Sequence, residues 1–146
     1  MNREQPSAPA AVHAMERSGL GPAGQIVWDF LTLFAQQRHA EANAYLAPGC
    51  RMLYPGGNIF TDCTEIPRRA AASYRNVKKV FERFDEHETP EGTVVYSFGG
   101  LRGEWPDGER FEGVRYLDRF LVRDGKIHDK KVWNDLCLAA AARKRG

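Results

Sequence analysis

An Asp-Gly pair between two runs of near-alternating apolar and polar residues constrains this chain more than any other feature. The first run, Phe111 to Val122, reads F-E-G-V-R-Y-L-D-R-F-L-V; R-D-G-K follows, and then I-H-D-K-K-V-W-N-D-L ends at Leu136. Asp-Gly flanked by alternating runs is the sequence of a β-hairpin. On the first run the even positions Val114, Tyr116, Phe120 and Val122 are apolar, so they share one buried face. Asp118 is the polar residue on that row. A carboxylate there must be paired, neutral or functional, because burying it bare is very costly.

The remaining segments read as cover for this hairpin. At 146 residues the chain is one domain with room for a real core. A net charge of +2 is too small to argue for nucleic acid or an anionic membrane surface as a partner. No apolar run approaches the ~18 residues of a membrane span, and the start M-N-R-E-Q-P-S-A-P-A lacks the apolar segment of a secretory signal. Cys50, Cys63 and Cys137 are an odd set without metal spacing, which points to reduced thiols and a cytoplasmic location.

Residues 1–22, rich in Ala, Pro, Ser and Gly, are expected to be a disordered arm. The arm holds a literal G-x-G-x-x-G at Gly19, Gly21 and Gly24. An Ala/Pro stretch rather than a strand precedes it and Pro22 interrupts it, so it is read as linker and not as a dinucleotide site. From Gln25 to Gln37, Ile26, Val27, Phe30, Leu31, Leu33 and Phe34 recur at helical spacing. His39 to Leu46 is expected to be a second short helix stopped by Pro48-Gly49, and Cys50 to Tyr54 a short strand before the Pro55-Gly56-Gly57 turn. A third helix is expected over 65–76, with Thr64 as N-cap, Pro67 in the first turn, and Ile66, Ala70, Tyr74 and Val77 inward. The cations around it (Arg68, Arg69, Arg75, Lys78, Lys79) are read as a solvated face. Strands over 77–88 and 93–105 follow, with turns at Pro90-Glu91-Gly92 and Pro106-Asp107-Gly108, and with bulges or a bend at Gly99, Gly100 and Gly103. Residues 139–146 are expected to be a frayed tail. Helices first and antiparallel strands after them give an α+β architecture with one strongly curved sheet.

This series, closing on D-R-F-L-V-R-D-G-K-I and V-W-N-D-L, resembles the SnoaL-like (polyketide cyclase-like) branch of the nuclear transport factor 2-like superfamily over residues 23–138. The resemblance implies a cone-shaped, curved antiparallel sheet packed with three helices from the N-terminal half. It also implies an enclosed pocket and a homodimer. Its members include polyketide cyclases, ketosteroid isomerases, limonene epoxide hydrolases and binding modules with no chemistry, so fold alone does not name a reaction. Set against the epoxide hydrolases, the position of their catalytic aspartate falls on Val132 and its tryptophan neighbour on Lys130. No charged residue stands at 98–101 for the partner pair. Tyr54 and Asn58 do fall where that family holds its water. Epoxide hydrolysis by that triad is therefore not supported.

The hairpin register decides the inner row. A connection with Gly125 at a left-handed bulge position sets Phe120 opposite His128 and Asp118 opposite Lys130, with His128, Lys130, Val132, Asn134 and Leu136 facing in. A plain two-residue turn brings Asp129, Lys131, Trp133 and Asp135 to the face of Asp118 instead. The bulged register agrees with the resemblance. On it, Asp118, His128 and Tyr54 are the candidate catalytic residues: a base or charge anchor, a group titrating near neutrality, and a hydrogen-bond donor to an oxyanion. Tyr54, Asn58, Tyr74, Tyr116, Phe120, Lys130, Val132 and Asn134 are the candidate ligand contacts. Asp118 with Lys130 reads equally as a buried ion pair that fixes register. His13, His39 and His87 form no ligand pattern, so neither a metal nor another cofactor is expected. Two functions remain open: acid–base catalysis without a cofactor (isomerase, cyclase, dehydratase or hydrolase type) on an apolar or polycyclic ligand, and shelter of such a ligand without chemistry. The outer face, with Leu117, Leu121 and Trp133, is expected to form a homodimer interface.

Overall fold

The computed structural model describes residues 15–145. The hairpin turns where the Asp-Gly pair falls. Asp124 and Gly125 both take positive φ, 51° and 73°, as a two-residue turn matched to strand twist requires. It joins β5 (Arg110–Arg123) to β6 (Lys126–Asn134). Val122 pairs with Ile127; then the register shifts, so that Leu121 faces Asp129, Phe120 faces Lys130 and Asp118 faces Val132. A bulge on β6 therefore follows the turn instead of lying within it. Lys130, Val132 and Asn134 keep the inward parity expected of them, but the expected partners are displaced by two positions, and Asp118 does not oppose Lys130. Ile127 takes the buried position expected of His128.

Ahead of the hairpin lie α1 (Pro22–Ala35), α2 (His39–Ala42), β1 (Leu46–Tyr54), β2 (Asn58–Phe60), α3 (Glu65–Ala70), β3 (Arg75–Thr89) and β4 (Gly92–Glu104); α4 (Leu136–Arg145) follows it. One six-stranded sheet runs in the order β2-β1-β6-β5-β4-β3, antiparallel except where β1 meets β6. This is the expected α+β architecture with its curved sheet. The bend falls at glycines: β3 bulges between Phe81 and Arg83 opposite Gly99, where a Cβ would stand 2.1 Å from the Val80 carbonyl oxygen. A second shift on β4 lies between Leu101 and Gly103.

α1 buries Ala23, Gly24, Val27, Phe30 and Leu31, the i, i+3, i+4, i+7 stripe of a helix lying on a sheet. Its face meets Phe60, Phe84, Val95, Phe120, Val122 and Ile127 in the main core. A smaller cluster of Leu101, Val114, Tyr116 and Leu136 closes the other end. The inward row of β5 is thus split: Val114 and Tyr116 belong to one cluster, Phe120 and Val122 to the other, and Asp118 sits at the gap between them.

Four expectations are corrected. The second helix is a single turn followed by a 3-10 turn (Asn43–Tyr45), and the strand takes over at Leu46. The third helix ends at Ala70, and Thr64 makes no side-chain cap. Asp62 Oδ1 instead accepts from Asn43 Nδ2 at 2.8 Å, from the Thr64 hydroxyl at 2.7 Å and from the Thr64 amide at 2.8 Å, which holds the Asp62 carboxyl down at about 2. The tail is helical to Arg145, with Arg143 bonded to Glu109 Oε2 at 2.7 Å and its guanidinium 5.6 Å from the Trp105 ring. The end of the expected arm is docked: a 3-10 turn spans Arg17–Gly19, and Arg17 clasps Asp29 through two bonds of 2.8 Å. The expectation for residues 1–14 lies outside the described residues.

Candidate functional site

Between the inner face of the sheet and helices α1, α3 and α4 lies a cavity of about 1210 Å³. Asp118 contributes to its wall at the split in the β5 row, together with Tyr54, Asn58, Tyr74, Tyr116, Val132 and Asn134. Seven sequence-predicted residues therefore meet at one cavity. Three do not. Phe120 and Lys130 pack behind the wall, in the main core. His128 is the bulge residue and folds back on the turn. Its Nδ1 accepts from the Arg123 guanidinium at 3.3 Å and its Nε2 donates to the Arg123 carbonyl at 3.1 Å. Both nitrogens are committed away from the cavity, which corrects its expected inward place.

Asp118 is wholly buried, and neither carboxylate oxygen has a hydrogen-bond partner among the described residues. Its counter-ion is Lys79 of β3, with Nζ 3.3 Å from Oδ2 and 4.8 Å from the centroid of the Tyr116 ring. The expected Asp118–Lys130 pair is thus replaced by Asp118–Lys79, because the register sets Val132 rather than Lys130 beside Asp118. Lys79 was legible by the reasoning that singled out Asp118. It is the charged residue in the alternating row Val77, Lys79, Phe81, all three of which line the cavity. Arg69, Arg75 and Lys78 also line it, so the patch expected to be a solvated face is in part a cationic rim, with Lys78 Nζ held by the Ala35 carbonyl at 2.7 Å.

Lys130 donates instead to the Tyr54 hydroxyl at 2.8 Å. Burial draws the Lys130 ammonium below the usual lysine range, and the charge of Asp118 opposes that shift. Burial pushes the Tyr54 and Tyr116 hydroxyls well above the usual phenol range, so both stay protonated. Tyr116 shares a 2.9 Å hydrogen bond with Ser97, the buried partner that the sequence did not reveal. Asn58 is partly committed, donating to the Pro55 carbonyl at 3.0 Å. Asn134 Oδ1 accepts from the Leu136 amide at 3.1 Å and starts α4. Chemically the cavity offers one carboxylate, one nearby ammonium and hydroxyl donors on an apolar wall. Among the described residues, no group of three His, Cys, Asp or Glu side chains is placed to hold a metal ion. No described helix is long and apolar enough to cross a membrane.

No protein-family model matches this chain, and no curated protein matches it. Solved structures do. An NTF2-like protein of unknown function from Burkholderia pseudomallei superposes with a TM-score of 0.70 at 15% identity, over 84% of this chain and 97% of that one. TerC, co-crystallised with polyporic acid, superposes with a TM-score of 0.68 at 14% identity, over 83% of this chain and 97% of that one. A candidate SnoaL-like polyketide cyclase from Jannaschia sp. CCS1 superposes at 0.62 with 16% identity, over 83% of this chain and 90% of that one.

Proposed function

We propose that the cavity of this chain, which has the nuclear transport factor 2-like fold, receives a small, largely apolar, ring-containing ligand and that Asp118 takes a proton from a carbon next to a ligand carbonyl. The reaction class is isomerisation or cyclisation through an enolate, and the reading calls on no cofactor. The observation that carries it is the state of Asp118: a fully buried carboxylate on the cavity wall whose two oxygens accept no hydrogen bond. Most buried carboxylates are saturated with donors, and one left unsaturated keeps lone pairs for a reacting proton. Lys79, with Nζ 3.3 Å from Oδ2, supplies the counter-charge. Tyr54, protonated and on the same wall, is placed to donate to the oxygen that gains charge. TerC was co-crystallised with polyporic acid, which is in keeping with a small-molecule ligand in this fold.

A second reading has its own observation. Lys79 already engages Asp118 as its counter-ion, with Nζ 3.3 Å from Oδ2, and a carboxylate held in an ion pair suits a pocket that holds a ligand without turning it over. One experiment separates the two readings. Cyclic ketones are incubated with the protein in D₂O, and deuterium uptake beside the carbonyl is followed by mass spectrometry. The catalytic reading expects uptake with wild type and none above background with Asp118→Asn. Ligand binding with no uptake by either protein selects the binding module, and equal uptake by both removes Asp118 from the chemistry.

A further inference from the structure

Lys130 is 1% exposed, and its Nζ has one hydrogen-bond partner among the described residues, the Tyr54 hydroxyl oxygen at 2.8 Å. Its other surroundings are rings: the centroids of Tyr54, Phe30, Phe34 and Phe120 lie 4.9, 5.4, 5.5 and 5.6 Å from Nζ. Ring faces attract a cation electrostatically, so this cage offsets part of what burial costs the ammonium although it offers no carboxylate.

An ammonium has donors and no acceptor. In the contact with Lys130 the Tyr54 oxygen must therefore accept, and its own O–H must point elsewhere. Tyr54 has no other hydrogen-bond partner among the described residues and lines the cavity. We infer that Lys130 is a positioning residue that fixes the Tyr54 hydroxyl as a one-way donor into the cavity, creating a subsite for a ligand carbonyl or phenolate oxygen. The inference rests on the cavity being the ligand site. A free tyrosine hydroxyl can turn to accept or to donate; one that already accepts from a cation has its O–H turned away from that cation and available to donate, and that donation is strengthened by the bond behind it. Because the donor is set before the ligand arrives, an oxygen that gains negative charge meets it without reorganisation. Lys130 touches no ligand in this arrangement and acts through Tyr54.

The test uses a pair of flat ring systems that differ by one oxygen, 9-fluorenone and fluorene, titrated into wild type, Tyr54→Phe, Lys130→Met and the double variant. Wild type is expected to prefer fluorenone by about tenfold, the size of one net hydrogen bond. Each single variant is expected to lose most of that preference, and the double variant no more than either single one, since the two side chains act as one unit. Affinity for fluorene should stay level across all four proteins. Preference kept in Lys130→Met but lost in Tyr54→Phe overturns the positioning role and leaves the cavity reading standing. A fall in fluorene affinity in step with fluorenone shows Lys130 to be merely structural. Failure of wild type to bind either compound overturns the cavity reading and this inference with it. If Lys130→Met does not fold, Lys130→Gln replaces it. Its amide can accept as well as donate, so reduced preference is expected, and full preference overturns the inference.

Discussion

The backbone amide of Gly24 donates to Oε1 of Glu86 across 2.6 Å, and the amide of Gly21 donates to Oε2 of the same carboxylate across 2.7 Å. These glycines belong to the G-x-G-x-x-G of the sequence. Their amides do what amides at a helix start do, which is to hold an anion, but the anion is supplied from within, by β3. A Cβ on Gly24 would lie 2.8 Å from the Glu86 carboxyl carbon, so a side chain there would push this carboxylate off the amides. Glu86→Gln should destabilise the fold by about 1 kcal/mol, the worth of a charged helix cap. That is a drop of a few degrees in melting temperature. An unchanged melting curve would refute this account.

Deletion of residues 1–20 should also be costly. It removes Arg17, whose guanidinium is bonded twice to Asp29 of α1, and Met15, whose sulfur accepts from the Phe84 amide at 3.2 Å. Met15 packs against the main core as well. Lost packing at the start of α1 should lower the melting temperature by several degrees in a domain of this size. A truncated protein that melts with the full chain would show that this segment contributes nothing.

The buried Lys130 makes a prediction about pH. Its folded-state pKa is lowered from the ordinary value, chiefly by burial. Between the lowered and the ordinary value the unfolded chain binds more protons than the folded one, so this group's contribution to stability rises with pH through that window. Below the window the penalty for burying the charge is fully present. Lys130→Met, close in length and apolar, should therefore be at least as stable as wild type at pH 7, by about 1 kcal/mol. The margin should shrink as pH rises toward 10. Cys50 and Cys63, both raised to about 11 by burial, act in the opposite direction over the same range. Both proteins carry them, so the difference between wild type and variant reports chiefly on Lys130. Urea unfolding at pH 7 and pH 9.5 gives the two margins, and a variant that loses several kcal/mol at pH 7 would mean the ring cage is worth more than burial costs.

Where residue type and period agreed, the sequence was readable. The alternation around Asp124-Gly125, the helical stripe from Ile26 to Phe34 and the strand glycines each state a local rule that the fold obeys. Asp118 was found because one charge on an apolar row is improbable unless it has a purpose. Lys79 carries the same signature between Val77 and Phe81, but the neighbouring cations make the stretch read as uniformly solvated. The partner of Asp118 could not be read at all. It depends on a bulge at Ile127–His128, and a shift of two positions alters no hydrophobic pattern, so periodicity is blind to it. Contacts made by termini were also out of reach, since Met15, Arg17 and Arg143 each act singly and leave no period.

Trp133 and Leu117 face each other across β5 and β6 on the side of the sheet away from the cavity, 50% and 36% exposed. Register carries the patch onward. Leu53 pairs with Lys131 on the same face, and Ile59 pairs with Leu53 at the sheet edge, these two apolar residues being 37% and 48% exposed. Two of the charge pairs among them are matched within the chain, Arg115 to Asp135 at 2.7 Å and Arg119 to Asp129 at 3.8 Å, whereas Lys131 has no ion-pair partner among the described residues. Covering this face would take the large side chains out of water and leave Lys131 to be met by a carboxylate of the partner. An apolar centre with paired charges around it is the make-up of an interface more than of a wetted sheet. A second copy of the chain is the expected partner, through a two-fold contact in which the same patch serves both subunits. Trp133→Ala should weaken the dimer by about 2 kcal/mol or more, as expected of a large aromatic at the centre of an interface. Sedimentation equilibrium across the micromolar range reads this directly. The expected result is a wild-type dimer and a variant that dissociates at more than tenfold higher concentration, with the cavity still formed. A wild-type protein that sediments as a monomer at tens of micromolar would leave the patch an exposed surface and defeat the prediction.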